Sequence, residues 1–451
     1  MEKQQTDQKF IQMTQTPVEK LIIQLAIPSI ISMLITTVYN AADTFFIGQI
    51  STSASAAVGV CFSMMSIIQA LGFFFGQGAG ASISRALGNR KGEQAEELAS
   101  LGFFSCIGLG SLVGLVGLIF IKPLVFLLGA TDTIYPHAIE YLSIILCGAP
   151  IMGASFVLNN LLRFQGYSFY GMIGVTIGGV LNIILDPLFI FVFELGTAGA
   201  ALATVVSQLI GLIILFWLNQ RHSSVKIRLR CFRPRIHHYA SIIQGGLPSL
   251  LRQGIASVAV ICVNLAAKPH GDAAIAAMSI VSKIAMFTNS AMLGFGQGFQ
   301  PVCGFNYGAR LFDRVRRGYF FCVKGSFVFL TLLGIAEFFC AGTLVGIFRD
   351  DPQVIAIGTT ALKFQCMTLP AMSIIVISNM MLQTSGKVVE ASLVGSARQG
   401  FFLIPAVFLL PALFGLLGLQ MAQPFADFCT LCMTIPLTTR FLREMKAQSS
   451  G

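Results

Sequence analysis

Two carboxylates stand in stretches that otherwise read as lipid-soluble. Asp43 closes the apolar run from Pro28 to Gly48, and Asp186 sits in Leu181-Asn182-Ile183-Ile184-Leu185-Asp186-Pro187. An acid at membrane depth costs about 2.5 kcal/mol or more, so by default it marks an ion or proton path. The plainer alternative is a buried acid that caps a neighbouring helix or pairs with a lysine. Against that, Ser29, Ser32, Thr36, Tyr39, Asn40 and Asp43 recur three or four residues apart. That spacing draws one polar stripe down a helix and resembles the wall of a cavity.

The residues around Asp186 extend the pattern. Thr176, Gly179, Asn182 and Asp186 share one helical face, and Thr197, Ala201, Thr204 and Gln208 share another. Counting about 1.5 Å per residue from the outer ends, Asp43 lies about 8 Å deep, Asp186 about 10 Å and Thr204 about 12 Å. One layer therefore holds two carboxylates, an amide and hydroxyls. These are hard oxygen donors that could hold Na+ or share a proton, since two close carboxylates in a dry site do not easily both ionise.

Such a layer needs helices that cross a bilayer. The chain has 451 residues, 55% hydrophobic and 11% charged, against about 25% charged in soluble proteins. It is therefore read as an all-α integral membrane protein. A crossing takes about 20 apolar residues, and twelve segments qualify: 19–48, 53–84, 98–121, 134–162, 169–193 and 196–219, then 240–267, 273–305, 318–348, 353–384, 388–413 and 414–438. Unbroken apolar runs exclude the alternation of a barrel. Met1 to Thr16 is polar and the first apolar run outlasts a secretory core, so no signal peptide is expected.

The net charge of +10 sorts by side rather than marking nucleic acid. One set of loops holds Arg85, Arg90, Lys91, Arg310, Arg314 and the basic run from Arg221 to Arg235. The alternate loops offer Lys122, Lys268 and Arg349. This bias places both termini in the cytoplasm and requires an even number of spans. It fits a multi-pass protein of a bacterial or archaeal plasma (inner) membrane.

The halves repeat at an offset of about 220 residues. Ile27-Pro28-Ser29 matches Leu247-Pro248-Ser249, Phe75-Gly76-Gln77-Gly78 matches Phe295-Gly296-Gln297-Gly298, and Pro150, Asn159 and Gly166 match Pro370, Asn379 and Gly386. Six spans per repeat give both halves the same orientation, a parallel pseudo-two-fold with a binding site between them. The expected organisation is a six-helix lobe over 1–219, a basic cytoplasmic linker over 220–239 and a second lobe over 240–451. One chain then carries both lobes, so a monomer suffices.

In the second half Val263 stands where Asp43 stands in the first, and cations appear instead: Arg252, Lys283, Lys363 and Arg398, with Asp427 as the acid expected to pair with one of them. Thr36, Gln208, Arg252, Lys283, Arg398 and Asn379 are the candidate walls of a substrate cleft. The alternative for each cation is structural pairing or snorkelling. Phe73-Phe74-Phe75, Met380 and Met381 could line a deformable apolar pocket. Cys429 and Cys432 form a C-x-x-C inside the last span and read as helix-packing residues. The histidines at 137, 222, 237, 238 and 270 make no metal site.

Together these residues resemble the multidrug and toxic compound extrusion (MATE) family. The resemblance rests on Pro28 with Asn40-x-x-Asp43-Thr44-Phe45-Phe46-Ile47-Gly48, Gly78-x-Gly80 with Arg85-x-x-Gly88, Gln165-Gly166, the Asn182-x3-Asp186-Pro187 motif and Gly196-x-x-Gly199-Ala200-Ala201-x-Ala203-Thr204. It covers essentially the whole chain and looks like the DinF-like and MepA-like branch. It implies two six-helix bundles in a V, exporting lipophilic, often cationic compounds against H+ or Na+. It also implies a coupling site at Asp43, Asn182, Asp186 and Thr204, with Tyr39 and Asn40 beside it. The seventh span has no acid, unlike the NorM-like group, which leaves the first-half site alone.

The leading expectation is thus an alternating-access antiporter for small amphipathic molecules in contact with membrane lipid, with no cofactor beyond the coupling ion. There is no G-x-x-x-x-G-K-[ST], so ATP is not the direct energy source. A lipid-linked precursor flippase of the same superfamily is the alternative that Arg252, Lys283 and Arg398 keep open. A membrane enzyme or channel is a further one, though no H-E-x-x-H, catalytic Ser-His pairing or filter loop occurs.

Overall fold

The computed structural model describes residues 2–449, and every regular element among them is a helix. The first half runs α1 (Glu2–Gln15), α2 (Val18–Gly48), α3 (Thr52–Gly88), α4 (Gly92–Ile119), the short α5 (Ile121–Leu127), α6 (Tyr135–Phe164), α7 (Ser168–Pro187) and α8 (Gly196–His222). The second runs α9 (Ile236–Ala267), α10 (Asp272–Gly308), α11 (Phe312–Phe348), α12 (Pro352–Thr384), α13 (Val388–Ser396), α14 (Leu403–Phe414) and α15 (Leu416–Ser449). In each half the fifth span holds one π-turn, Leu188–Val192 and Ala397–Phe401. Such turns rotate the side chains that follow them by widening the helix.

Among the described residues, eleven helical segments are long and apolar enough to cross a membrane, against twelve expected. The exception is α15. Gln420, Gln423 and Asp427 dilute its apolar character, but all three point into the protein. Gln420 donates to the Ile357 carbonyl at 3.0 Å and Gln423 to Asp427 at 2.9 Å. Outside, Leu115, Ile213, Phe339 and Leu409 lie exposed. A belt of that kind is a liability in water and the normal surface in lipid.

The apolar core divides in a way that gives the molecule its shape. One cluster mixes both halves, from Met13 and Leu21 to Phe299, Phe305 and Phe441. Two others are each confined to one half: Ile47, Ile68, Ile145 and Ala201 in the first, Ala259, Ile284, Val345 and Leu419 in the second. The halves are thus fused at the end that carries the basic linker and separate at the other end, a V open away from the basic end. The seam is made by α2 against α10 and by α3 against α9 and α10.

Contacts across the seam are reciprocal. A Cβ on Gly88 would meet the Phe305 carbonyl at 2.2 Å, and one on Gly308 would meet the Arg85 carbonyl at 2.2 Å. Gly78 presses on Ile242 and Gly246, and its repeat mate Gly298 presses on Ala26. This is the signature of a two-fold relation between the repeats. It also explains the matched glycines, since only a residue without Cβ permits so close a backbone approach.

Candidate cation site

Three helices of the first half bring the expected residues together. Gly179 on α7 lies under Ile35 and Tyr39 of α2, so those helices close on each other. Ala200 and Ala201 are fully buried on α8, which packs along α7. Asn182 and Asp186 are one turn apart on α7 and 2% and 0% exposed. The Asn182 amide donates to Asp186 Oδ1 at 3.2 Å and to Thr204 Oγ1 at 3.5 Å, while Thr204 donates to the Ala200 carbonyl at 3.1 Å.

Asp43, buried on α2, comes close enough to Asp186 for the two charges to interact. Asp43 Oδ1, Asn182 Oδ1 and Asp186 Oδ2 are buried and accept no hydrogen bond among the described residues. Buried acceptors are rarely left without a donor. Three of them, all oxygen and two from carboxyl groups, suit a hard cation or a proton. Asn40 is half-buried one turn before Asp43. Tyr39 accepts from Gln208 Nε2 at 3.4 Å. From there a narrow cavity descends along Thr36, Ser32, Asn159, Asn160 and Gln297, with about 30 Å³ open to the centres of water molecules, room for one or two.

The polar stripe on α2 is less continuous than its spacing suggests. Ser29, Ser32 and Thr36 each donate to the carbonyl one turn back, at 2.9 Å. Those hydroxyls are satisfied by their own helix, and Ser29 packs into the seam with α10.

The second half is a different case. Arg398, on the π-turn, donates from Nε to Asp427 Oδ1 at 2.7 Å, and Thr368 donates to Asp427 Oδ2 at 3.2 Å. The expected cation–acid pair is therefore Arg398 with Asp427. Lys283 is exposed, Arg252 half-buried, and Lys363 lies 5.2 Å over the Phe338 ring. The Asn379 amide is engaged by the backbone. It donates to the Ala391 carbonyl at 2.6 Å, as its repeat mate Asn159 donates to Gly171 at 3.0 Å. Both clamp the fourth span of a half to its fifth.

A family model described as MatE matches the chain twice, over residues 28–188 and 248–409. The chain belongs to the MatE family. The two matches fall one in each repeat. The multidrug export protein MepA of Staphylococcus aureus (strain MSSA476) is 28% identical over 431 residues, 94% of each chain. An outward-facing multidrug resistance MATE family transporter of the MOP superfamily superposes with a TM-score of 0.92 at 26% identity, over 97% of this chain and 98% of that one. A MOP superfamily transporter from Pyrococcus furiosus, described as having a binding pocket of reverse polarity that suggests a different function, gives 0.90 at 26% identity over the same shares. The fold implied by the resemblance is the fold observed.

Two residues of this MatE chain escaped the sequence reading. Tyr141 on α6 is fully buried within electrostatic range of both Asp43 and Asp186, its hydroxyl donating to Met65 Sδ at 3.2 Å. Glu337 on α11 is a second acid at membrane depth in the second half. Thr288 donates to its Oε1 at 2.6 Å and the Cys366 thiol lies 3.8 Å from its Oε2. The second half therefore has two deep acids, where the sequence reading weighed Asp427 alone. Among the described residues no group of three His, Cys, Asp or Glu forms a metal cluster.

Proposed function

We propose that the protein is a secondary active exporter of lipophilic, often cationic small molecules, driven by H+ or Na+ returning through Asp43, Asn182, Asp186 and Thr204. The supporting observation is the group of buried oxygens without donors on α2, α7 and α8. The multidrug export named for the staphylococcal relative points the same way. With the basic linker and both termini assigned to the cytoplasm by the charge bias, the V opens outward.

A monovalent cation arriving from outside would offset one negative charge at Asp43 and Asp186 and so weaken the repulsion between them. α2 carries Asp43 at one end and the seam with α10 at the other, so a change at the site reaches the closure between the halves. One charge crossing about 100 mV supplies about 2.3 kcal/mol, enough for roughly a 50-fold gradient of a neutral substrate. The two lobes, 1–219 and 240–451, would rock about that seam within a monomer. The flippase reading draws on the cations Arg252, Lys283 and Arg398, with Arg163 within electrostatic range of Arg252. Expression in a dye-sensitive strain separates the two. Resistance to ethidium supports export, and rescue of a cell-envelope defect without resistance supports the flippase.

A further inference from the structure

Two arginines at the closed end of the cleft have no acid to answer them. Arg163 lies in the last turn of α6 and is 3% exposed. It donates to Asn160 Oδ1 beside it and, at 3.2 Å, to Gln300 Oε1 on α10 in the other half. Its Nε has no partner among the described residues. Both of its partners are neutral. Arg252, on α9 of the second half, is close enough for the two positive charges to interact. Neither arginine has a carboxylate at ion-pair distance among the described residues.

A guanidinium keeps its charge in a protein, and taking it out of water is costly unless an opposite charge meets it. The negative end of α6 offsets part of that cost for Arg163. Arg252 is half-buried at mid-helix, with no helix end beside its own position. Side chains lean toward the start of their helix. Because α6 runs toward the basic end and α9 away from it, a lean of this kind carries the two guanidiniums toward each other, and Arg163 does reach back to Asn160. Asn160, which holds Arg163, also lines the cavity that begins at Tyr39 beside Asp43. The first half thus presents carboxylates at one end of a polar slot and a guanidinium at the other.

We propose that Arg163 and Arg252 bind an oxyanion, a carboxylate or phosphate, on an amphipathic ligand taken up when the halves part at the basic end. Parting removes Gln300 from Arg163, because the two residues belong to opposite halves. A carboxylate then replaces a neutral amide with a charge-assisted, two-pronged contact. The proposal rests on the export reading and assigns two residues of that cleft to the acidic group of a ligand. The oxyanion has two sources, the exported molecule itself or the headgroup of a membrane lipid.

The test uses a cationic rhodamine methyl ester and its free acid, which differ by one carboxylate. Equilibrium binding to the full-length protein is measured by fluorescence polarisation in nanodiscs of neutral lipid. Arg163→Gln and Arg252→Gln should each weaken the acid about tenfold or more, the loss of one charge-assisted hydrogen bond, and leave the ester unchanged. Arg252→Lys should recover part of the loss. A second arm compares thermal stability of wild type and variants in nanodiscs with and without phosphatidylglycerol. Stabilisation by that lipid in wild type alone assigns the site to a headgroup. Equal weakening of acid and ester, with no lipid effect that depends on the arginines, overturns the proposal. Among the described residues Arg252 makes no hydrogen bond or ion pair, so its variant reports even if Arg163→Gln does not fold. Because binding needs no transport, a protein that binds the ester without exporting it would sink the export reading and not this site.

Discussion

Asn182 donates its amide to Asp186, one turn further along α7, at 3.2 Å, and the same nitrogen reaches Thr204 at 3.5 Å. The Asn182 carbonyl oxygen, one Asp186 oxygen and one Asp43 oxygen are left buried without a donor among the described residues. Removing the amide should therefore weaken ion binding without abolishing it. Asn182→Ala is expected to lower apparent affinity for the coupling ion about 2- to 10-fold, the range of one net hydrogen bond. The check is the ion concentration giving half-maximal dye export in proteoliposomes. Thr204→Ala should show a smaller change in the same direction.

The Arg398–Asp427 pair is held in the second half with Asp427 1% exposed. Arg398→Gln leaves a buried carboxylate without its charge partner, an expected cost of about 3–5 kcal/mol. Thermal unfolding in detergent should show a marked drop. Arg398→Met combined with Asp427→Leu should recover most of it, since apolar replacement of a buried pair is often tolerated.

Gly78 sets the closure at the basic end. A Cβ there would sit 2.1 Å from the Ile242 carbonyl, so Gly78→Val should prise the seam and favour the opposite opening. Export should fall. Cys303, now buried in the shared core, should react with a maleimide faster than in wild type.

Outside the membrane, Lys387 donates to Glu444 at 2.8 Å. That hydrogen bond holds the Glu444 carboxyl below its ordinary range and the Lys387 ammonium above its own. The Glu444 contribution is present above its unfolded pKa and lost as pH falls through the lowered one. The Lys387 contribution is present below its unfolded pKa and lost as pH rises through the raised one. Both partners are partly exposed, so Glu444→Gln should change melting temperature little at neutral pH.

The clustering of Asn182, Asp186 and Thr204 was legible because helical periodicity turns sequence spacing into a shared face. Asn182 and Asp186 four apart, and Asp43 at matching depth, needed only the rise per residue. The matched glycines likewise foretold a repeat, and the seam shows why they must be glycine. What stayed hidden depends on packing between distant helices. Arg398, the cation that meets Asp427, sits on the π-turn at Ala397–Phe401, which sequence spacing does not reveal. Glu337 escaped notice inside Ala336-Glu337-Phe338-Phe339, where the surrounding residues read as lipid-facing. For Asn379, spacing does not reveal that its amide bonds a backbone carbonyl.

The central claim is that a cation taken up at Asp43 and Asp186 drives export. The most direct test is dye efflux from proteoliposomes with the H+ and Na+ gradients imposed independently, comparing wild type with Asp43→Asn. The account predicts that one gradient accelerates efflux by wild type and that neither does so in a folded Asp43→Asn protein. Gradient-driven efflux by Asp43→Asn at the wild-type rate would contradict it.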